Sequence, residues 1–248
     1  ARARTVAFDG IEARIVEAQC VLSPGLPAFH IVGLPDKAVS EARERVRAAL
    51  STLSIALPPR RITVNLSPAD LPKAGSHFDL PIALALLAAL GIIPPEELAQ
   101  TVSLGELALD GALVAVVGAL PAALAAATEN CALICPKPCG AEAAWVGVAH
   151  VFAPATLNEA IRHFSGKSPL PRAQPGEVSR DETQRDLRDV KGQERAKRAL
   201  VISAAGRHHM LMVGSPGSGK SMLAARMPSI MPPLSPAEAL ETSMIHSL

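Results

Sequence analysis

The sequence predicts an α/β protein with two domains, and three observations carry this prediction. Strand-like and helix-like stretches alternate through residues 1–165. Residues 166–186 are rich in proline, serine, glycine, glutamine and charged residues, a composition typical of a linker. An apolar run, a glycine-rich loop and a helical stretch then follow one another between residues 210 and 225. We therefore expect one domain at 1–165, a linker at 166–186 and a second domain at 187–248.

The first domain is expected to begin with a β-hairpin. Residues 5–8 and 13–21 alternate apolar and polar side chains, and the Asp9-Gly10 pair between them favours a tight turn. A further short strand is predicted at 29–32. Asp36 then provides an N-cap for a helix whose apolar residues recur at helical spacing. These residues are Val39, Ala42, Val46, Ala49, Leu50 and Leu53.

The opposite face of this helix is charged, and it has two interpretations. It carries Glu41, Arg43, Glu44, Arg45 and Arg47, and Arg60-Arg61 follows nearby in the sequence. One interpretation is a patch that contacts DNA phosphates. The other is a solvent-exposed face on which Glu41 and Arg45, four residues apart, pair with each other. The sequence leaves both interpretations open.

The rest of the first domain continues the alternation of strands and helices. Residues 61–66 form the clearest predicted strand. Asp79 is expected to cap a helix over residues 80–90 that is apolar on all sides and therefore lies in the core. Beyond it we predict a hairpin of residues 102–109 and 113–117, and then helix, strand, helix, strand and helix at 121–129, 132–135, 141–145, 150–152 and 157–164.

Composition excludes several classes of protein. The sequence is 49% hydrophobic, but proline and glycine interrupt its two longest apolar runs, 80–93 and 112–128, so no membrane-spanning segment is predicted. No signal-peptide pattern opens the chain, and we expect a cytoplasmic protein without a membrane partner. Aromatic residues make up only 2%, which leaves few rings for stacking on single-stranded bases. The net charge of +1 neither favours nor excludes nucleic acid.

The four cysteines do not predict a metal site. Three of them are spaced four residues apart, at Cys131, Cys135 and Cys139, and the fourth is Cys20. No histidine or further cysteine pair lies at the spacing that would complete a zinc site. We interpret all four as reduced cysteines of the core.

The strongest functional signal is a glycine-rich loop that matches the pattern G-x-x-x-x-G-K-[ST] between a predicted strand at 210–213 and a predicted helix. Glycines allow successive backbone N–H groups to surround a polyphosphate. Lys220 is expected to neutralise phosphate charge, and Ser221 to offer its hydroxyl to Mg²⁺. The sequence therefore predicts a site for ATP and Mg²⁺ formed by Gly214, Ser215, Pro216, Gly217, Ser218, Gly219, Lys220 and Ser221.

Residues 69–81, together with the Gly105-Glu106-Leu107 segment and the turn at Gly111, resemble the proteolytic domain of Lon-type proteases. The resemblance implies the fold of ribosomal protein S5 domain 2 for residues 1–165. It also implies a catalytic serine activated by a lysine. The positions of this serine and this lysine can each be aligned with a residue of the present sequence.

Neither catalytic position carries the residue that this protease family needs. The serine position falls on His77, beside Ser76, and the lysine position falls on Leu120. Because serine is weakly nucleophilic without a positioned base, we expect a non-proteolytic relative with no catalytic residue in this domain. The alternative is a dyad formed by Ser76 and Lys73.

Residues 187–194 and the helix that follows resemble the segment that precedes the P-loop in AAA+ ATPases. In those enzymes the backbone around the Gly-Gln pair lies against adenine. The resemblance implies that Val190, Gly192 and Gln193 contact the nucleotide base. It also implies that the second domain is the first part of a P-loop AAA+ domain.

Domain by domain, the chain is similar to the N-terminal half of the YifB/ComM family of magnesium-chelatase-like proteins. The resemblance implies an ATP-driven ring, most simply a hexamer, in a full-length parent, and DNA helicase activity like that of family members that act in natural transformation. The alternative is a protein that assembles on another protein, with the assembly controlled by whether ATP is bound. The matching stretches are 25–27, 31–35, 61–66, 69–73, 78–81, 189–200 and 214–223.

ATP hydrolysis needs groups that we do not find after the glycine loop. It requires an acidic residue at the end of an apolar strand, then sensor and arginine-finger groups. Residues 235–238 instead form a capping box that opens a helix. We therefore expect this chain to bind ATP, and we expect ATPase activity only in a longer parent. The chain is then either a fragment or the product of a truncated gene.

Overall fold

The computed structural model describes residues 1–147, 150–176, 185–232 and 234–247. These residues pack into two compact units. The N-terminal unit comprises Ala1–Gly176 together with the end of the last helix, and the described part of the second unit is 185–232 and 234–239. We call the second one the glycine-loop unit. The N-terminal unit has the mixed α/β structure that the sequence predicts.

The strands and helices of the two units have the following bounds. The strands are β1 Arg2–Asp9, β2 Glu12–Ser23, β3 Ala28–Val32, β4 Arg61–Ser67, β5 Thr101–Ser103, β6 Glu106–Leu107, β7 Leu113–Val114, β8 Ala132–Ile134 and β9 Val151–Phe152. The helices of residues 1–176 are α1 Lys37–Thr52, α2 Asp79–Ala89, α3 Pro95–Ala99, α4 Ala119–Thr128, α5 Lys137–Ala143 and α6 Leu157–Phe164. Three more helices follow, α7 Glu194–Gly206, α8 Lys220–Ala224 and α9 Pro236–Ser247.

Seven strands form one mixed sheet in the order β3-β4-β2-β1-β5-β8-β9, and β6 pairs with β7 in a separate hairpin. β2 is antiparallel to β1 and β4, whereas β3 is parallel to β4, and β1, β5, β8 and β9 are parallel to one another. In the predicted first hairpin Asp9 pairs with Glu12, which leaves Gly10 and Ile11 as the loop. Gly10 has a φ of 60°, a conformation that glycine adopts without a steric penalty. This hairpin prediction is confirmed.

Apolar clusters cover both faces of the sheet. Neighbouring residues of a strand point to opposite faces. Ala7 of β1 accordingly packs in a cluster with α1 and α2, while Val6 packs in a second cluster with α4. The helix α2 is buried from Asp79 through Ala88, as its uniformly apolar sequence predicts.

Three predictions for the N-terminal unit need correction. The helix predicted at 141–145 begins earlier, since α5 is Lys137–Ala143. The predicted strand 102–109 is divided, because the chain leaves the main sheet at Gly105, whose N–H donates to the carbonyl of His77 at 2.9 Å. The first part is β5 of the large sheet, and only the second part, β6, belongs to a hairpin. Asp79 is the first residue of α2 rather than its cap, and no side chain caps this helix.

The glycine-loop unit has a small core of Leu187, Val190, Leu200 and Leu223. Residues 210–213, predicted to be a strand, form none. A strand needs a neighbour for its backbone hydrogen bonds, and no other strand lies within 185–232 and 234–239. Leu211 and Val213 are consequently 88% and 86% exposed.

Across the described residues of both units, no helix is long and apolar enough to cross a membrane.

Candidate functional site

The glycine-rich loop has a backbone conformation that favours glycine at two positions. Gly217 and Gly219 have φ angles of 78° and 85°, in the left-handed region. A Cβ atom at Gly219 would lie 2.8 Å from Nε2 of Gln193, and one at Gly214 would lie 3.1 Å from Oγ of Ser218. Backbone conformation therefore explains the glycines at 217 and 219, whereas the atoms close to positions 214 and 219 belong to flexible side chains that can move.

Lys220 places its ammonium group inside the curve of the loop. Its Nζ donates to the carbonyls of Gly214 and Ser215 at 2.7 and 2.8 Å, and lies 3.3 Å from Oγ of Ser218. These acceptors are neutral, and Lys220 forms no ion pair in the described parts of the chain. The positive charge is therefore available to an anion. Ser221, the next residue of α8, is exposed.

The second predicted segment lies against this loop. The Nε2 atom of Gln193 donates to the carbonyl of Ser218 at 3.3 Å. Gly192 and Gln193 have φ angles of 71° and 59°, which turn the chain sharply before α7. Val190 is 1% exposed and belongs to the same apolar cluster as Leu223 of α8. The structure thus brings together the two groups of residues that the sequence singled out separately.

Arg226 is a positioning residue of this site that the sequence reasoning missed. Its Nε donates to the carbonyl of Asp186 at 3.0 Å, and its Nη1 donates to the carbonyl of Met222 at 2.9 Å. It also lies 3.9 Å from the carboxylate of Asp189. Arg226 therefore connects the end of α8 to the turn that precedes Val190. The contact with Asp186 spans forty residues of sequence, so no local pattern indicates it.

The two positions aligned with the protease residues lie in the core. His77 is 4% exposed, packs between Phe8 and Phe78, and has Nε2 3.0 Å from the carbonyl of Val6. Burial lowers the pKa of His77, and the hydrogen bond to Val6 partly opposes this effect. Leu120 is 1% exposed. These are packing positions of the N-terminal unit.

Ser76 and Lys73, the alternative dyad, each have a different partner. The hydroxyl of Ser76 donates to the carboxylate of Glu106, and the ammonium of Lys73 donates to the carbonyl of Pro68. Lys73 is 1% exposed, and burial lowers its pKa. No hydrogen bond joins Ser76 to Lys73 where the structure describes them, so the geometry of a serine–lysine dyad is not formed.

The charged face of α1 is divided between paired and unpaired arginines. Arg43 pairs with Glu44 at 3.2 Å, and Arg45 lies 4.0 Å from Glu41, the pair that the sequence predicts. Arg45 is held more closely by Asp79, with Nε 2.6 Å from a carboxylate oxygen. Contact of this face with DNA stays a prediction.

The four cysteines are buried and free. Burial raises the pKa of the Cys20 thiol to about 11, and it also raises the pKa of Cys135. No group of three or more histidine, cysteine, aspartate or glutamate residues with the geometry of a metal site was found among the described residues.

Comparison with known proteins identifies the class to which the α/β unit and the glycine loop belong. Residues 16–138 match the family model described as subunit ChlI of Mg-chelatase, and residues 186–248 match the model described as magnesium chelatase, subunit ChlI. The second match contains the whole glycine loop. The protein is therefore magnesium-chelatase-like.

Similarity to individual proteins identifies the family. The chain is 42% identical over 246 residues to the competence protein ComM of Haemophilus influenzae, covering 96% of the chain and 48% of ComM. It is 42% identical over 244 residues to YifB of Salmonella typhimurium, covering 98% and 48%. It is also 31% identical over 90 residues to an archaeal Lon protease of Archaeoglobus fulgidus, covering 36% and 13%. The chain belongs to the YifB/ComM family, and it spans about half the length of the ComM and YifB relatives it matches.

Proposed function

We propose that the glycine-loop unit binds ATP together with Mg²⁺, and that it is the first part of a P-loop AAA+ domain. The N-terminal unit is then a relative of the Lon proteolytic domain with the fold of ribosomal protein S5 domain 2, and it is non-proteolytic. The observation that carries the proposal is the ammonium of Lys220 held inside a loop whose glycines leave room for a polyphosphate.

The residues of the loop fit the chemistry of a nucleoside triphosphate. Bound ATP with Mg²⁺ would supply a chain of phosphate oxygens with high negative charge. A Cβ atom at Gly217 would meet nothing within 4 Å, so this position faces open space. Lys220 forms charge-assisted hydrogen bonds to phosphate oxygens more favourably than to the neutral carbonyls of Gly214 and Ser215. Ser221 is available to hold the metal through its hydroxyl.

Gln193 and its neighbours support the base end of the same site. The amide of Gln193 holds the carbonyl of Ser218, so the segment of Val190, Gly192 and Gln193 is fixed against the loop. By resemblance to AAA+ ATPases, this segment is the one that would contact the adenine. Arg226 contributes indirectly, because it fixes α8 to the turn at residues 187–189.

For the full-length parent we propose a hexameric ring that hydrolyses ATP and translocates on DNA during recombination or natural transformation. The support for this proposal is 42% identity, over almost the whole chain, with a protein named for competence. A second candidate is a nucleotide-gated assembly factor without DNA activity. It is favoured by the two family models, both of which carry the name of a magnesium chelatase subunit.

Nucleotide binding is tested with a fluorescent ATP analogue and Mg²⁺ in equilibrium titrations of the chain. Lys220→Ala is expected to weaken binding by about tenfold or more, because it removes the charged partner of the phosphates. The matched control is Lys197→Ala, which removes a lysine of the same unit that pairs with Glu194 at 3.1 Å. Equal affinity of the Lys220→Ala variant and the wild type would overturn the proposal.

The activity of the parent is tested by ATPase assays of the full-length protein with and without DNA. Stimulation by DNA that is abolished by Lys220→Ala supports the translocase. ATP-dependent capture of a defined protein subunit, without DNA affinity at low salt, favours the assembly factor.

A further inference from the structure

The N-terminal unit contains a pocket of about 680 Å³ that none of the activities above uses. It lies between the C-terminal half of α1, the start of β3 and the loop of residues 54–60. Phe29 and Ile62, at the bottom of the pocket, are 4% and 2% exposed. Its lining combines apolar side chains with two arginines. These residues include Phe29, Ile55, Leu57, Ile62, Arg47 and Arg60.

The pocket carries uncompensated positive charge. No aspartate or glutamate lines it. Arg47 and Arg60 are exposed, and neither forms an ion pair or a side-chain hydrogen bond within the described ranges. By contrast, Arg43 and Arg45 on the same helix both have acidic partners. Two free guanidinium groups beside an apolar pocket favour a ligand that has a carboxylate next to an apolar side chain.

The pocket opens beside an unprotected edge of the sheet. β3 is the terminal strand of the sheet and pairs only with β4, so its outer backbone groups have no strand partner in the described residues. Natural edge strands are usually protected by charged residues, proline or a bulge. β3 contains no lysine, arginine, aspartate, glutamate or proline. Its last residue, Val32, is 43% exposed, and Leu26 before the strand and Leu34 after it are 82% and 60% exposed.

We propose that β3 and this pocket bind an extended acidic segment of a partner protein by strand addition. The segment hydrogen-bonds to the outer edge of β3, places one apolar side chain in the pocket and sets an acidic side chain against Arg47 and Arg60. All the residues involved belong to the N-terminal unit, so the proposal does not rest on nucleotide binding by the glycine loop.

A peptide fits these observations better than DNA does. DNA binding relies on many phosphate contacts, typically six to ten, and the pocket provides two arginines. The apolar lining and the uncharged strand edge carry no charge that would attract phosphates. An extended peptide can pack a side chain against the lining and hydrogen-bond to the strand edge.

The test measures anisotropy of labelled octapeptides in which every second residue is serine and the residues between are in turn glutamate and valine, leucine, isoleucine or phenylalanine, so that acidic and apolar side chains share one face; the peptides are titrated with the chain. At least one acidic peptide is expected to bind, and its counterpart with lysine in place of glutamate is expected not to. Methylation of alternate peptide nitrogens removes strand hydrogen bonds and is expected to weaken binding about tenfold or more. Hydrogen exchange at β3 should slow when the acidic peptide is bound.

Arg47→Ser and Arg60→Ser are each expected to weaken binding about tenfold, since each removes a charge-assisted contact. Arg43→Ser is the matched control, because Arg43 lies one helical turn before Arg47 and is already paired with Glu44. Absence of binding by every acidic peptide overturns the proposal, as does equal binding of acidic and basic peptides. It is also overturned if the arginine variants bind like wild type, or if a DNA oligonucleotide displaces the peptide at lower concentration through the same two arginines.

Discussion

Arg45 and Asp79 form an ion pair that joins α1 to the start of α2. The Nε and Nη2 atoms of Arg45 donate to the two carboxylate oxygens at 2.6 and 2.9 Å, and the N–H of Leu107 donates to the same carboxylate at 3.1 Å. Asp79 is fully buried. Burial raises the pKa of Asp79, while the hydrogen bonds from Arg45 and Leu107 lower it. The negative charge of the Asp79 carboxylate is therefore stabilised by Arg45, because no solvent reaches it.

We expect Arg45→Ala to lower the free energy of unfolding by about 3–5 kcal/mol at pH 7, because it leaves a buried carboxylate without its cation. A carboxyl whose folded pKa lies above its unfolded value stabilises the fold when protonated, and loses that contribution as the pH rises through the folded pKa. Folding raises the pKa of Asp79 from its ordinary 3.8, and removal of Arg45 raises it further. The destabilisation should therefore be smaller near pH 4 than at pH 7.

Urea unfolding of wild type and Arg45→Ala at both pH values measures this difference. Arg43→Ala is the control, because Arg43 is on the same helix but pairs with Glu44 at the surface. It should change stability by less than about 0.5 kcal/mol. An equal loss for Arg45→Ala at the two pH values would contradict the role assigned to Asp79.

At the scale of elements, the close approach of β3 to β4 depends on a glycine. Gly33 follows the last residue of β3 and has a φ of 105°. A Cβ atom at this position would lie 2.1 Å from the carbonyl oxygen of Leu66 in β4. Backbone atoms of a paired strand cannot move away as a flexible side chain can. The end of this edge strand is therefore set by Gly33 and not by the apolar residues before it.

Gly33→Ala should destabilise the N-terminal unit by about 1–3 kcal/mol beyond the cost of its φ angle, because it forces the two strands apart. Gly91→Ala provides the comparison, since Gly91 has a φ of 73° and a Cβ there would meet nothing within 4 Å. Urea unfolding of the two variants separates the steric clash from the backbone strain. Equal stability of the two variants would show that β3 and β4 tolerate the added methyl group.

Elements were predicted well where the signal is local. The first hairpin and the buried helix α2 are read from a turn sequence and from a run of apolar residues. Residues 210–213 and 102–109 were predicted wrongly, because an apolar run does not show whether a neighbouring strand is present or where the chain leaves a sheet. Both of these features depend on partners distant in the sequence.

For the whole molecule, the two units have separate cores. The apolar clusters of the N-terminal unit and the cluster around Leu200 share no residue. Among the described residues of the glycine-loop unit, the apolar cluster has four buried members, which makes this unit sensitive to a single truncation. The single tryptophan of the sequence, Trp145, belongs to the N-terminal unit.

Leu200→Ala should therefore destabilise the glycine-loop unit by about 2–5 kcal/mol while the unfolding midpoint of Trp145 fluorescence stays unchanged. Loss of binding of the fluorescent ATP analogue should accompany this change. Val201→Ala is the control, because Val201 is the next residue of α7 and is 41% exposed. A shift of the Trp145 midpoint in Leu200→Ala would show instead that the two units unfold together.

The sequence by itself determined the α/β class, the first hairpin, the buried helix α2 and the glycine loop with Lys220. Each of these depends on a local conformational preference, on a periodicity or on glycines at fixed spacing, which neighbouring residues specify. Only the tertiary structure decided that Asp79 pairs with Arg45, that Gln193 lies on the glycine loop, and that Arg47 and Arg60 line one pocket beside the open edge of β3. The physical reason is that these contacts join residues far apart in the chain, and their geometry exists only after the sheet and the helices have packed.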